Sequence, residues 1–224
     1  MESTLPLRSL RAVMTLLVAA LLSLGLVSPA QAGVTISFWS HELGNDFPHA
    51  FFLLEGTPDA GGAPVQASYG FTAKTVSPAI LMGSVPGRID ETKQGYIRGS
   101  DVHFSVMLTD AQYAAVLQLV EEWGERGDHH YNLNRRNCVH FVAEAARRAG
   151  LTVVEDRKLM KKPRSFIHSL EPLNQGRVRL LEMEGKAFYA LADRTNAPTS
   201  VAAAPAVAAP VSAVAAQPAP AAVN

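Results

Sequence analysis

Hydrophobic and polar positions along this chain fall into blocks of two periods. Residues 34–39 (Val-Thr-Ile-Ser-Phe-Trp) alternate as a strand does, and 49–54 (His-Ala-Phe-Phe-Leu-Leu) form a short, aromatic-rich apolar run of the kind a buried strand shows. Residues 65–72 read as the next strand, joined to the previous one across a Gly/Pro-rich connection as an antiparallel hairpin. A further strand is predicted over 102–108. Thr109-Asp110-Ala111-Gln112 then makes a capping box for a helix running to about Gly124, with Tyr113, Val116, Leu117 and Val120 on its apolar face. A second helix begins at Cys138. At about 100° per residue, Cys138, Phe141, Val142, Ala145 and Ala149 share one stripe, while His140, Glu144 and Arg147 point away from it. Asn137 is a good N-cap, and Gly150 stands where a helix stops. These elements predict an α+β fold in which an antiparallel sheet precedes the cysteine-bearing helix.

Other stretches lack a period. Residues 75–100 are punctuated by Pro78, Gly83, Pro86, Gly87, Gly95 and Gly99, the pattern of a loop that is either a functional lid or disordered. Residues 158–164 are basic, and 177–191 fit either a hairpin about Glu184-Gly185 or a short helix. Residues 195–224 are nearly all Ala, Pro and Val, which predicts a disordered, polyproline-like tail. Residues 1–32 read as a secretory signal: Arg8 and Arg11 supply the positive region, 12–27 the apolar run, and Ala30-Gln31-Ala32 the cleavage pattern. The expected organisation is a signal peptide (1–32), one domain (33–175), a C-terminal extension (176–194) and the tail (195–224). The processed chain is expected in the periplasm or outside the cell, with no stable membrane span.

Charge and cysteine usage narrow the function. Twenty basic and twenty acidic residues balance, so no strong field draws the chain to nucleic acid, which is not an expected partner. The single cysteine forms no internal disulfide, and a lone thiol in an oxidising compartment must be buried or useful. At a helix start, free backbone N–H groups and the dipole favour the thiolate. Thiol chemistry then requires a base, a group orienting it and donors for an oxyanion. Of the seven histidines, His140 lies two residues along the helix and points away from the Cys138 side chain. His129 and His130 fall in the connecting loop, His103 begins a strand, and His168 lies beyond the main elements. His49, at the head of a buried strand, is the candidate base, with His41 in reserve. The Cys138 backbone N–H is the first oxyanion donor, and Tyr131 or Asn132 a second. Arg135 and Arg136 flank the site as candidates for a substrate carboxylate. No cysteine–histidine spacing suits zinc, and neither metal nor cofactor is expected.

His49-Ala50-Phe51-Phe52 at the head of a strand, followed far downstream by Asn137-Cys138-Val139-His140-Phe141-Val142, resembles the circularly permuted papain-like hydrolases. These are relatives of the NlpC-type cell-wall peptidases and include lecithin retinol acyltransferase-like and PPPDE-type enzymes. The resemblance implies a permuted papain-like fold, a Cys138 nucleophile, a His49 base and acyl chemistry on an amide, ester or thioester. Acyltransferase-like members place a second histidine on the following strand to orient the base. Here 65–72 has none, which leaves Tyr69 and Ser68 for that role. The expected substrate is a small molecule or a cell-wall peptide amide. The alternatives are lipid acyl hydrolysis or transfer, and a non-catalytic envelope-binding module. An apolar groove built on Ala79-Ile80-Leu81-Met82 would favour acyl chains, and a polar cleft would favour peptides.

Overall fold

The computed structural model describes residues 33–42 and 47–196, with side chains to residue 194; the expected signal peptide and almost all of the expected tail lie outside them. Seven antiparallel strands form one sheet: β1 (Gly33–His41), β2 (His49–Thr57), β3 (Val65–Ala73), β4 (Ser84–Asp90), β5 (Asp101–Leu108), β6 (His130–Asn132) and β7 (Arg179–Glu184). Their spatial order is β6-β4-β3-β2-β1-β5-β7. The helices are α1 (Ala79–Met82), α2 (Gln94–Arg98), α3 (Asp110–Trp123), α4 (Cys138–Arg148), α5 (Pro163–Leu170) and α6 (Gly185–Asn196). The fold is therefore α+β. No helix among the described residues is long and apolar enough to cross a membrane.

Strand alternation sends side chains to two cores. Ile36, Phe38, Phe52, Leu54, Phe71 and Phe104 face α3, α4 and α5, where Phe52 stacks on Phe141 at 5.4 Å and Phe71 meets Trp123 edge-on at 5.0 Å. Each such buried aromatic contributes about 1.5–3 kcal/mol relative to exposure, which is why these helices lie flat on the sheet. The opposite face is smaller. There Trp39, Phe51, Leu53 and Val102 pack against Ile97 of α2 and Tyr189 of α6. The interior strands β1 and β2 are thus covered on both sides.

The predicted strands over 34–39, 49–54, 65–72 and 102–108 and the helix from Thr109 stand where the pattern placed them. Three expectations change. Residues 75–100 hold β4 and two short helices rather than a continuous lid. His168 lies on α5, which Pro163 at its first position opens and whose Phe166, Ile167 and Leu170 are fully buried. Residues 177–191 form a strand followed by the start of a helix, and β7 pairs with β5, so residues 179–184 of the expected extension add a strand to the same sheet.

α4 ends in a Schellman motif: Gly150 N–H donates to Arg147 O and Leu151 N–H to Ala146 O, both at 2.9 Å, with Gly150 at φ +80°. An added Cβ would overlap the Gln112 amide that bonds Ala149 O. Gly150→Ala is expected to lower stability by about 1–2 kcal/mol, read as a reduced urea midpoint at unchanged slope.

Candidate active site

The site is built outward from Asn137. Its Oδ1 accepts from the N–H groups of Val139 (2.8 Å) and His140 (3.2 Å), which caps α4. Its Nδ2 donates to Leu133 O and Met160 O, each at 2.8 Å. His140 Nδ1 sits 2.9 Å from Asn137 Oδ1 and 3.4 Å from its backbone nitrogen, completing a capping box. As the helix pattern predicted, His140 serves the cap rather than the thiol. The apolar stripe from Cys138 to Ala149 is buried throughout.

Cys138 opens α4 and is only 8 % exposed. The backbone N–H groups of Ala50, Val139 and Cys138 itself lie near its sulfur. These favour the thiolate, yet burial outweighs them and pushes the thiol up to about 11. Burial thus works against the ionised sulfur expected at a helix start. Tyr131 stands close enough for the Cys138 charge to reinforce the upward shift that burial imposes on its phenol. Of the two further oxyanion candidates, Tyr131 is the one within electrostatic range of the thiol. Asn132 engages other partners with its oxygen and one of its two amide hydrogens. Its amide donates to Ser84 Oγ (3.1 Å), and its side-chain oxygen accepts from the Asn134 N–H (3.0 Å).

His49 is brought to the sulfur by its backbone and turned aside by its ring. The Ala50 N–H that reaches Sγ belongs to the peptide bond between His49 and Ala50. Ala50 and Phe52 face α4, whereas the His49 ring stacks on Phe51 at 6.1 Å, on the other face. Its Nε2 lies over Gly70, where any Cβ would overlap it, and this buried nitrogen has no hydrogen-bond partner among the described residues. The expected imidazole–thiol hydrogen bond is thus not formed. Burial lowers His49 to about 4, with Asp90 opposing the shift and His41 adding to it. Asp90 is the register partner of Gly70, so His49, Gly70 and Asp90 run across β2, β3 and β4 on one face.

Neither proposed orienter reaches His49. The Tyr69 ring packs 5.8 Å from Phe52 on the α4 side. Ser68 Oγ is committed to Thr92, accepting from its N–H at 2.8 Å and donating to its carbonyl at 3.1 Å. Asp90 is the group that sequence reading missed, because Pro86 and Gly87 masked the alternation of β4. Of the flanking arginines, Arg136 stacks over Trp123 at 3.6 Å and ties down the Asp128 loop, so its role is structural. Arg135 is exposed in the turn before α4. The reserve base His41 bonds Ser100 Oγ (3.1 Å) and stacks on Tyr96. His130 pairs with Asp128 at 2.9 Å.

Two clefts flank the sheet. One of about 780 Å³ is lined by Tyr69, Arg88, Asp90, Glu121 and Arg126 among others, and one of about 400 Å³ by Ser68, Glu91, Thr92 and Tyr189 among others. Neither is walled by Cys138. Asp90 links the larger one to the His49 row. α1 walls neither; its Leu81 and Met82 are exposed. No protein-family model, curated protein or solved structure was found to match the chain.

His49 and His103 are both held near 4 by burial, below their ordinary 6.5. Between those values the unfolded chain takes up protons that the folded chain refuses. The stability these neutral imidazoles supply is therefore complete above pH 6.5 and is lost as pH falls toward about 4. Urea midpoints should decline across that window, and His49→Gln should show a shallower decline.

Proposed function

We propose that this chain is an exported cysteine hydrolase of permuted papain-like architecture, with Cys138 as nucleophile and His49 as base. The observation that carries the reading is the convergence of the Ala50, Cys138 and Val139 N–H groups on one sulfur at a capped helix start. Donors so placed stabilise negative charge on the sulfur or on an oxyanion formed beside it. The order of elements, a histidine-headed strand before the cysteine helix, agrees with the permuted arrangement. A buried imidazole nitrogen left without a partner costs about 1–3 kcal/mol, and such exceptions concentrate where chemistry is done.

With burial disfavouring the thiolate, attack proceeds by general-base catalysis. For this the His49 ring must first swing off Gly70 to the Cys138 side of β2; there it takes the Sγ proton as the C–S bond forms, then returns it to the leaving amine, and water releases the acyl group from the thioester. Asp90 stabilises the imidazolium that forms between those steps, in the place of the absent orienting histidine. α1 walls neither cleft, so the apolar groove that would favour an acyl chain is not built on it, and a cell-wall peptide amide is the substrate class proposed. One observation favours a second reading, that of a non-catalytic envelope-binding module: thiol and imidazole are not hydrogen-bonded to each other, and burial disfavours the charged form of each.

Incubation with muropeptides and, separately, phospholipids distinguishes the readings. Muropeptide turnover is expected, abolished in Cys138→Ala and reduced about 10²–10⁴-fold in His49→Ala. Asp90→Asn should lower kcat about tenfold and move the acid limb of the pH–rate profile downward, since the carboxylate is what raises the imidazole. Muropeptide binding without turnover, unchanged by Cys138→Ala, would establish the binding module instead.

A further inference from the structure

A second cluster of chemistry-bearing side chains lies away from the thiol, where α5 crosses the β5–β7 edge. His103, His168, Glu171 and Glu182 each offer one donor atom, and all four atoms lie within 4.8 Å of one another. They come from three separate elements, and two backbone irregularities aim them. In the register of β1 with β5, Phe38 faces Phe104 and Trp39 faces Val102, which leaves His103 as the extra residue of a bulge. In the register of β5 with β7, Val102 faces Met183 and Phe104 faces Leu180, so Leu181 and Glu182 together oppose His103. Glu182 takes φ +42°, the only positive φ at a non-glycine among the described residues. Such bulges re-aim side chains. Here they turn an imidazole and a carboxylate toward the end of α5, where the spacing of His168 and Glu171 puts both on one helical face.

We propose that His103, His168, Glu171 and Glu182 bind a divalent transition-metal ion of the zinc class. A tetrahedral zinc with bonds of about 2.0–2.1 Å has ligand atoms about 3.4 Å apart. Three separations in the cluster already bracket that edge. His103 Nδ1 is 3.2 Å from Glu182 Oε1, and His168 Nδ1 is 2.9 Å from Glu171 Oε1 and 3.8 Å from Glu182 Oε1. Two imidazoles and two carboxylates are a donor set that zinc accepts, and the two carboxylate charges match a divalent ion.

Hydrogen bonding fits a cation better than it fits protons alone. Two carboxylates converge on His168 Nδ1, which has a single proton to give. His103 is wholly buried, and its Nε2 is held by Ser40 Oγ at 2.9 Å. Such a partner fixes ring orientation and tautomer in metal-binding histidines, and when Nε2 donates to Ser40 the lone pair stands on Nδ1, facing Glu182. The nearby Arg164 is engaged by Asp101 at 2.8 Å. The ion would clamp α5 to β5 and β7, and the inference is independent of the hydrolase reading.

The test uses the purified protein stripped with chelator and titrated with Zn²⁺ by calorimetry, with Co²⁺ as the absorbing stand-in. The expected result is one ion per chain, a Co²⁺ visible band of four-coordinate intensity and a rise in Tm on Zn²⁺ addition. His168→Ala and the surface change Glu182→Gln should each weaken Zn²⁺ at least tenfold, with circular dichroism matching the parent. Should either fail to fold, the partly buried Glu171→Gln must show the same loss. A His129→Ala/His130→Ala double variant should bind as the parent does. The proposal is overturned if no ion binds tighter than about 10 μM. Binding that survives both Glu182→Gln and Glu171→Gln, or that vanishes with His129 and His130, overturns it equally; the four side chains then form only an ion-pair network.

Discussion

The Asn137 side chain fastens three stretches of backbone to one point. Its oxygen takes the first free N–H groups of α4, and its amide nitrogen takes Leu133 O from the approach loop and Met160 O from the segment leading to α5. Four hydrogen bonds on a side chain only 2 % exposed leave its oxygen and both amide hydrogens occupied. Each bond contributes about 1 kcal/mol net, but losing the side chain would strand buried carbonyls at about 1–3 kcal/mol apiece. The start of α4 is therefore set from both sides of the sequence. The position of Cys138 against β2 follows from that, as does the convergence of N–H groups on its sulfur.

The same packing explains why the sulfur is quiet. Helix position and three N–H groups pull the thiol toward ionisation, and enclosure by hydrocarbon pulls harder the other way. The imidazole is subject to the mirror-image argument, with burial outweighing the attraction of Asp90. A strand residue sends its side chain to one face while its peptide bond lies in the sheet, so β2 presents an N–H to the sulfur and a ring to the opposite side. Sulfur and ring are neighbours through the backbone and not through their polar atoms.

Much of this was legible in the order of residues. Alternation located four strands, the Thr109 box located α3, and the stripe from Cys138 to Ala149 gave both the buried face of α4 and the idle direction of His140. What escaped was decided by partners distant in sequence. β4 carries Pro86 and Gly87, which local preference counts against a strand, yet pairing with β3 secures it. α5 and β7 are short and gain their stability from docking, so their periods are weak. The face taken by His49 was not readable either, because the run from His49 to Leu54 is apolar on both sides and carries no alternation to fix it. The candidate orienters Tyr69 and Ser68 failed for a related reason: one faces the other core and the other is consumed by Thr92. His103 and Glu182 meet only because two strands slip register, which no local pattern encodes.

The two outermost strands have a consequence of their own. β6 is three residues long, and β7 is broken by the kink at Glu182, with Arg179 and Glu184 exposed along it. Neither margin offers the flat, uninterrupted ladder that another polypeptide needs for backbone pairing. The apolar central ribbons are thus fenced by terminal ribbons too short or too bent to template growth. A chain built around so much β-structure is thereby guarded against stacking edge to edge into fibrils.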